Sequence, residues 1–309
     1  MKNINIQKID ETRRKLIMTI TTVSVYLLII IFKNQYFSLY NLKLSELTNN
    51  EQLLANIVYN IFAIAVSLAF ISNHRKDTEK EFKIYLKGAL IGLSTILIYS
   101  MTSLVELGIL YYSKIDIGKM TIMQKSIYLI ICEALIILLI ALINKNKLKK
   151  NLIDIKNNYK EYYSKYLKFY IYALIIMIIS NILINGLTNS IPGNEETIRT
   201  TLNKAPLYMC FSAVIFAPFT EEMVFRNSIK RIITNKQTFI IVSGLIFGGL
   251  HVIGNINTIY DLLYIIPYST PGIAFAIMLE KTDNIFVPMG IHFLHNGLLM
   301  ALQIILMFI

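Results

Sequence analysis

Charge is scarce in this sequence. Asp, Glu, Lys and Arg make up 16% of its 309 residues, against 55% apolar residues. Mean hydropathy is +0.56. A soluble globule does not need that much apolar surface, so the composition points to an integral membrane protein. Cysteine is nearly absent. Cys132 and Cys210 each lie inside an apolar run, which argues against a disulfide framework and leaves both as small apolar side chains. There is no internal repeat and no low-complexity linker. The lack of a repeat, with no pair of broken helices, ranks a transporter with a midplane site last. No small-residue cleavage site follows the first apolar run, which reads as a retained span. No His-Glu-x-x-His is present, and no serine or cysteine stands in a recognisable nucleophile setting.

What the chain does hold is apolar runs of spanning length. Nine occur, near 16–32, 53–71, 84–112, 126–143, 168–187, 206–232, 238–253, 260–280 and 285–308. About 20 apolar residues cross a bilayer as a helix, and helices satisfy their own backbone hydrogen bonds in lipid. The expected fold is all-α, a polytopic transmembrane bundle of about eight or nine spans. The basic residues orient it. With the N-terminus cytoplasmic, inside segments hold 22 of the 30 Lys and Arg, and outside loops hold 7. That asymmetry supports a cytoplasmic N-terminus. The net charge of +11 therefore reads as topology, and no nucleic-acid partner is expected. The expected organisation is N-terminal spans at 1–143 and a basic cytoplasmic loop at 144–168. A fifth span and outer loop follow at 169–205, and a polar-bearing C-terminal unit occupies 206–309. Glu133 lies mid-span with no partner assigned by the sequence.

The C-terminal unit carries charge where charge is costly. A charged side chain at mid-membrane costs about 2.5–3.5 kcal/mol, yet Glu221, Glu222 and Arg226 fall within six residues of one apolar run. Each alone could be structural: a pair at a helix end, an interhelical histidine, a glycine packing step. Their depth joins them. In a hairpin turning at Thr234–Lys236, Glu221 and His251 lie at nearly one level, about 20 Å from the turn. In a second hairpin turning at Lys281–Asn284, His292 and Asn296 reach the same layer. Helical phase pairs Glu222 with Arg226 and leaves Glu221 without that partner. Gly244 and Gly248 form a small-residue step suited to close helix packing. A poorly solvated carboxylate beside a histidine is a water-activating pair. A His and an Asn one turn apart are two donors for an oxyanion. With no nucleophile in view, water activation is the natural reaction class. Glu221, His251 and His292 are also zinc-type ligands, and the spacing leaves open whether they hold a metal.

Three motifs stand in order here: Glu221-Glu222-x-x-x-Arg226, Phe247-x-x-x-His251 and His292-x-x-x-Asn296. In these the chain resembles the CPBP (Abi) family of intramembrane proteases, which includes the type II CAAX prenyl endopeptidases. The resemblance covers about residues 205–300. Asn227 departs from it, where many members have glycine. The resemblance implies that Glu221 and His251 activate water, and that His292 and Asn296 stabilise the oxyanion. It implies further that Glu222 and Arg226 hold the site and that Phe247 lines it. The family has been described both as metal-dependent and as a metal-independent glutamate type. The unpaired Glu221 favours the latter, so no cofactor is expected, with zinc the alternative. The expected activity is hydrolysis of a membrane-associated peptide or protein, at a site open toward the cytoplasm. The lysine- and isoleucine-rich composition points to a bacterial cell membrane. The other reading is a non-proteolytic membrane partner or bacteriocin-immunity protein on the same fold.

Overall fold

The computed structural model describes residues 79–188, 192–253 and 259–307. The expected spans near 16–32 and 53–71, and His74, lie outside the described residues. The chain divides into two compact units, residues 1–87 and 88–309, and apart from residues 79–87 everything that follows concerns the second. Each element among the described residues is helical. α1 (Glu79–Ser100), α2 (Thr102–Ser113), α3 (Ile122–Ile143), α4 (Lys145–Thr188) and α5 (Gly193–Lys204) come first. Then come α6 (Pro206–Ile232), α7 (Lys236–Ile253), α8 (Ile265–Thr282) and α9 (Phe286–Leu306). The stretches Ile122–Ile143, Lys145–Leu187, Pro206–Ile232, Leu262–Thr282 and Phe286–Leu306 are each long and apolar enough to cross a membrane. Lys236–Val252 is a shorter apolar helix.

Two stretches differ from expectation. The run at 84–112 is not one straight helix but bends by 54° between Ser100 and Thr102. Ser100 Oγ donates to Leu97 O at 2.8 Å and Thr102 Oγ1 to Tyr99 O at 2.7 Å. Such hydroxyl back-bonding competes with the helix ladder where the bend falls. The stretch 144–168 is not a loop: from Lys145 onward it is the first half of α4. It contains neither glycine nor proline, and its apolar residues recur at helical spacing. Ile155, Tyr162, Tyr163, Tyr166 and Tyr170 pack against Phe275, Met278, Val287 and Ile291 of α8 and α9.

That packing locks the α8–α9 turn. Asp283 takes the left-handed conformation, φ 49°, which Asp tolerates better than most residues. Asn284, fully buried, donates to Asn151 O at 2.8 Å and to Asp154 Oδ2 at 2.7 Å. Asn151 Oδ1 in turn accepts from Ile285 N at 3.1 Å. α4 therefore grips the hairpin that carries the second histidine motif.

The glycine step of α7 faces α8. A Cβ on Gly248 would stand 2.7 Å from Ser269 N and 2.9 Å from Ile265 O, and one on Gly244 would stand 3.0 Å from Ile273 N. Only glycine permits this approach. α6 adds a second feature. It carries two π-helical turns, Ser212–Phe216 and Glu222–Ser228. Ala217 N donates to Ser212 O, five residues back. In that register the next carbonyl, Ala213, would look to Pro218, which has no N–H to give.

Candidate active site

Glu221 stands between the two histidines. Its Oε1 is 3.9 Å from His251 Nε2 and its Oε2 is 3.7 Å from His292 Nε2. These spacings exceed a direct hydrogen bond and suit groups that share a water. Both rings are set by what holds their other nitrogen. His251 Nδ1 lies 2.8 Å from the Phe247 carbonyl oxygen. A carbonyl only accepts, so Nδ1 carries the hydrogen and the lone pair of the neutral ring is on Nε2, toward Glu221. His292 Nδ1 lies 3.0 Å from Glu222 Oε1, and the same reasoning turns its Nε2 to Glu221.

Glu222 and Arg226 lie beneath this layer, both completely buried. Glu222 Oε2 is 3.3 Å from Arg226 Nε. The guanidinium is roofed by aromatic rings, 4.3 Å from the Phe247 centroid and 5.4 Å from that of Phe275, positions that favour a cation. Phe247 therefore serves the arginine through its ring and His251 through its carbonyl. Asn296 donates from Nδ2 to the Ala213 carbonyl at 2.8 Å. That is the carbonyl left over by the π turn and Pro218. One amide hydrogen is committed there, which fixes the side chain and leaves the other.

Residues 203–298 match the family model described as Type II CAAX prenyl endopeptidase Rce1-like. The segment is similar to that family. It spans all three motifs. The chain is also 27% identical over 114 residues to the protein named "Putative membrane peptidase YdiL" of Bacillus subtilis (strain 168), covering 36% of this chain and 43% of that one. The chain thus matches less than half the length of this curated relative. No solved structure matches.

Sequence reasoning missed several partners of the site. Tyr268 stacks on His251, with centroids 5.0 Å apart, and Phe275 on His292, at 5.1 Å. Tyr268, Pro271 and Phe275 follow i, i+3, i+7 on α8, a stripe that marks a buried face. Tyr170 OH lies 2.7 Å from His295 Nδ1, which gives that histidine, three residues beyond His292, a partner of its own. Glu133 Oε1 accepts from Ser212 Oγ at 2.7 Å and from Tyr208 OH at 3.2 Å. The mid-span acid of α3 thereby holds the first π turn of α6.

A cavity of about 420 Å³ rises from Glu221, His251 and His292, with His295 and Asn296 also in its wall. The metal alternative names Glu221, His251 and His292. Among the described residues no three His, Cys, Asp or Glu side chains are placed to hold a metal ion. Donors on a tetrahedral zinc lie about 3.3 Å apart, closer than the 3.7 and 3.9 Å found here. As placed, the three residues do not fit a zinc ion, and no step is derived through one.

Proposed function

We propose that this chain is an intramembrane endopeptidase that hydrolyses a peptide bond by water activated at Glu221. The supporting observation is the Glu221 carboxylate set between two imidazole Nε2 atoms at the floor of a cavity. In this reading Glu221 takes one proton from a water while His251 Nε2 accepts the other hydrogen and aims it. The hydroxide oxygen bonds to the scissile carbonyl carbon. Negative charge then moves to the carbonyl oxygen, which the free amide hydrogen of Asn296 is placed to stabilise. The carbon–nitrogen bond breaks as the proton held by Glu221 passes to the amine. Glu222 touches no substrate here; it orients His292 and is balanced by Arg226. The Rce1-like match and the peptidase relative support the same reaction class.

The test is cleavage of membrane-anchored peptides by the purified full chain. Glu221→Gln and His251→Ala are expected to abolish turnover while the protein inserts and elutes as wild type does. Cleavage is expected to persist in a chelator. Wild-type turnover by Glu221→Gln would overturn the assignment, and loss of activity in chelator, restored by zinc, would replace it with a metal mechanism.

A further inference from the structure

The cavity has a direction. Its lining positions on α6 are Met209, Ser212, Ala213, Ala217 and Glu221, all on one side of the catalytic layer. On α8 they run from Phe275 back to Pro267, and on α9 from His292 forward to Gln303. All three helices thus place the cavity on the side away from the turns at 233–235 and 283–285. It reaches α5, where Pro192, Asn194, Glu195 and Ile198 complete its wall. Toward the turns the way is shut. Glu222, Met223, Arg226, Met278 and Val287 are fully buried there, and Leu279 nearly so.

The two ends of the described helices also differ in charge. The turn end bears eight lysines in 145–168, with Lys230, Arg231, Lys236 and Lys281 besides. The α5 end bears Lys114, Lys119, Lys125, Arg199 and Lys204. Basic flanks remain in the cytoplasm, so the turn end is the cytoplasmic one. The basic residues mark one face and the cavity rises to the other, which on this reading runs opposite to the expected cytoplasmic opening.

We infer that the site takes its substrate from the non-cytoplasmic face. Resting on the peptidase reading, this names the substrate class. It is a polypeptide segment presented outside the cytoplasm, such as an exported peptide or the outer juxtamembrane stretch of a membrane protein. A lipidated cytoplasmic C-terminus cannot reach Glu221 by this route.

Cysteine labelling tests the access route without using activity. In the full chain carrying Cys132→Ala and Cys210→Ala, single cysteines are placed as Asn194→Cys at the α5 end, Ala217→Cys within the cavity and Lys160→Cys at the basic end. A membrane-impermeant maleimide is applied to intact cells and to inside-out vesicles. Asn194→Cys and Ala217→Cys are expected to label at least an order of magnitude faster in cells, and Lys160→Cys faster in vesicles. Faster labelling of Ala217→Cys in vesicles overturns the inference. So does an exchange of sides by Asn194→Cys and Lys160→Cys, or an Ala217→Cys that labels from neither face. The expected pattern in a protein that cleaves nothing would sink the peptidase reading and leave the access route standing.

Discussion

At the scale of single residues, the site is organised by a buried charge that has no chemistry of its own. Arg226 answers Glu222, and Glu222 orients His292. Removing one member of a buried pair leaves the other charge uncompensated, at a cost of about 3–5 kcal/mol. Arg226→Ala is therefore expected to lower stability by roughly that amount, read as a lower unfolding midpoint in detergent. Glu221→Gln removes a carboxylate that has no such partner. It is expected to leave the midpoint near that of wild type while turnover is lost. The contrast separates the residue that holds the site from the one proposed to act in it.

At the scale of elements, close helix contact does the positioning. α7 and α8 touch through Gly244, Gly248 and Gly272, and this contact sets the His251 ring against Tyr268. Gly248→Ala forces a methyl onto backbone atoms of α8, since Ser269 N would be 2.7 Å away. Overpacking of this kind costs about 1–3 kcal/mol, and cleavage should fall as His251 shifts. Gly186→Ala is the matched control. Nothing lies within 4 Å of the added methyl, so the thermal midpoint should hold or rise slightly. α6 positions by irregularity instead. Its first π turn, tied to Glu133, exposes the carbonyl that Asn296 needs, and π turns of this kind recur at functional sites.

At the scale of the whole molecule, the basic end is held by a clasp between α4, α6 and the α8–α9 turn. Asp283 Oδ2 lies 2.8 Å from Lys147 Nζ and Oδ1 lies 3.2 Å from Lys230 Nζ. Burial alone would raise the Asp283 carboxyl. The Lys147 hydrogen bond and the two lysine charges outweigh it, and its pKa lies below the ordinary carboxylate value. A depressed folded pKa adds stability that is present above the ordinary value, near 4, and lost as pH falls through the folded one. Asp283→Asn is thus expected to lower the thermal midpoint at neutral pH, with the gap closing under acid. Because the Asp283 side chain is 60% exposed, the effect should be modest. A gap that stays constant down to the lowest pH would assign the clasp to shape and not to charge.

The helical class, the five long described spans and the layer that gathers Glu221, His251, His292 and Asn296 were legible in the chain alone. The reason is the cost of polar groups in lipid: such residues appear only where something requires them, and helical rise converts their spacing into depth. Phase along one helix also foretold that Glu222 and Arg226 share a face. Which neighbour covers a face was not legible. The glycine step packs on α8, Tyr268 and Phe275 cover the histidines, and Asn296 reaches a carbonyl freed by Pro218, all contacts between helices distant in sequence. The basic stretch after Asn144 looked like a loop because its charge resembled solvent exposure, while its tyrosine stripe waited on α8 and α9 to bury it. The direction of the cavity was beyond the sequence as well. Periodicity says how a helix turns, but only packed side chains determine which end of a bundle is sealed.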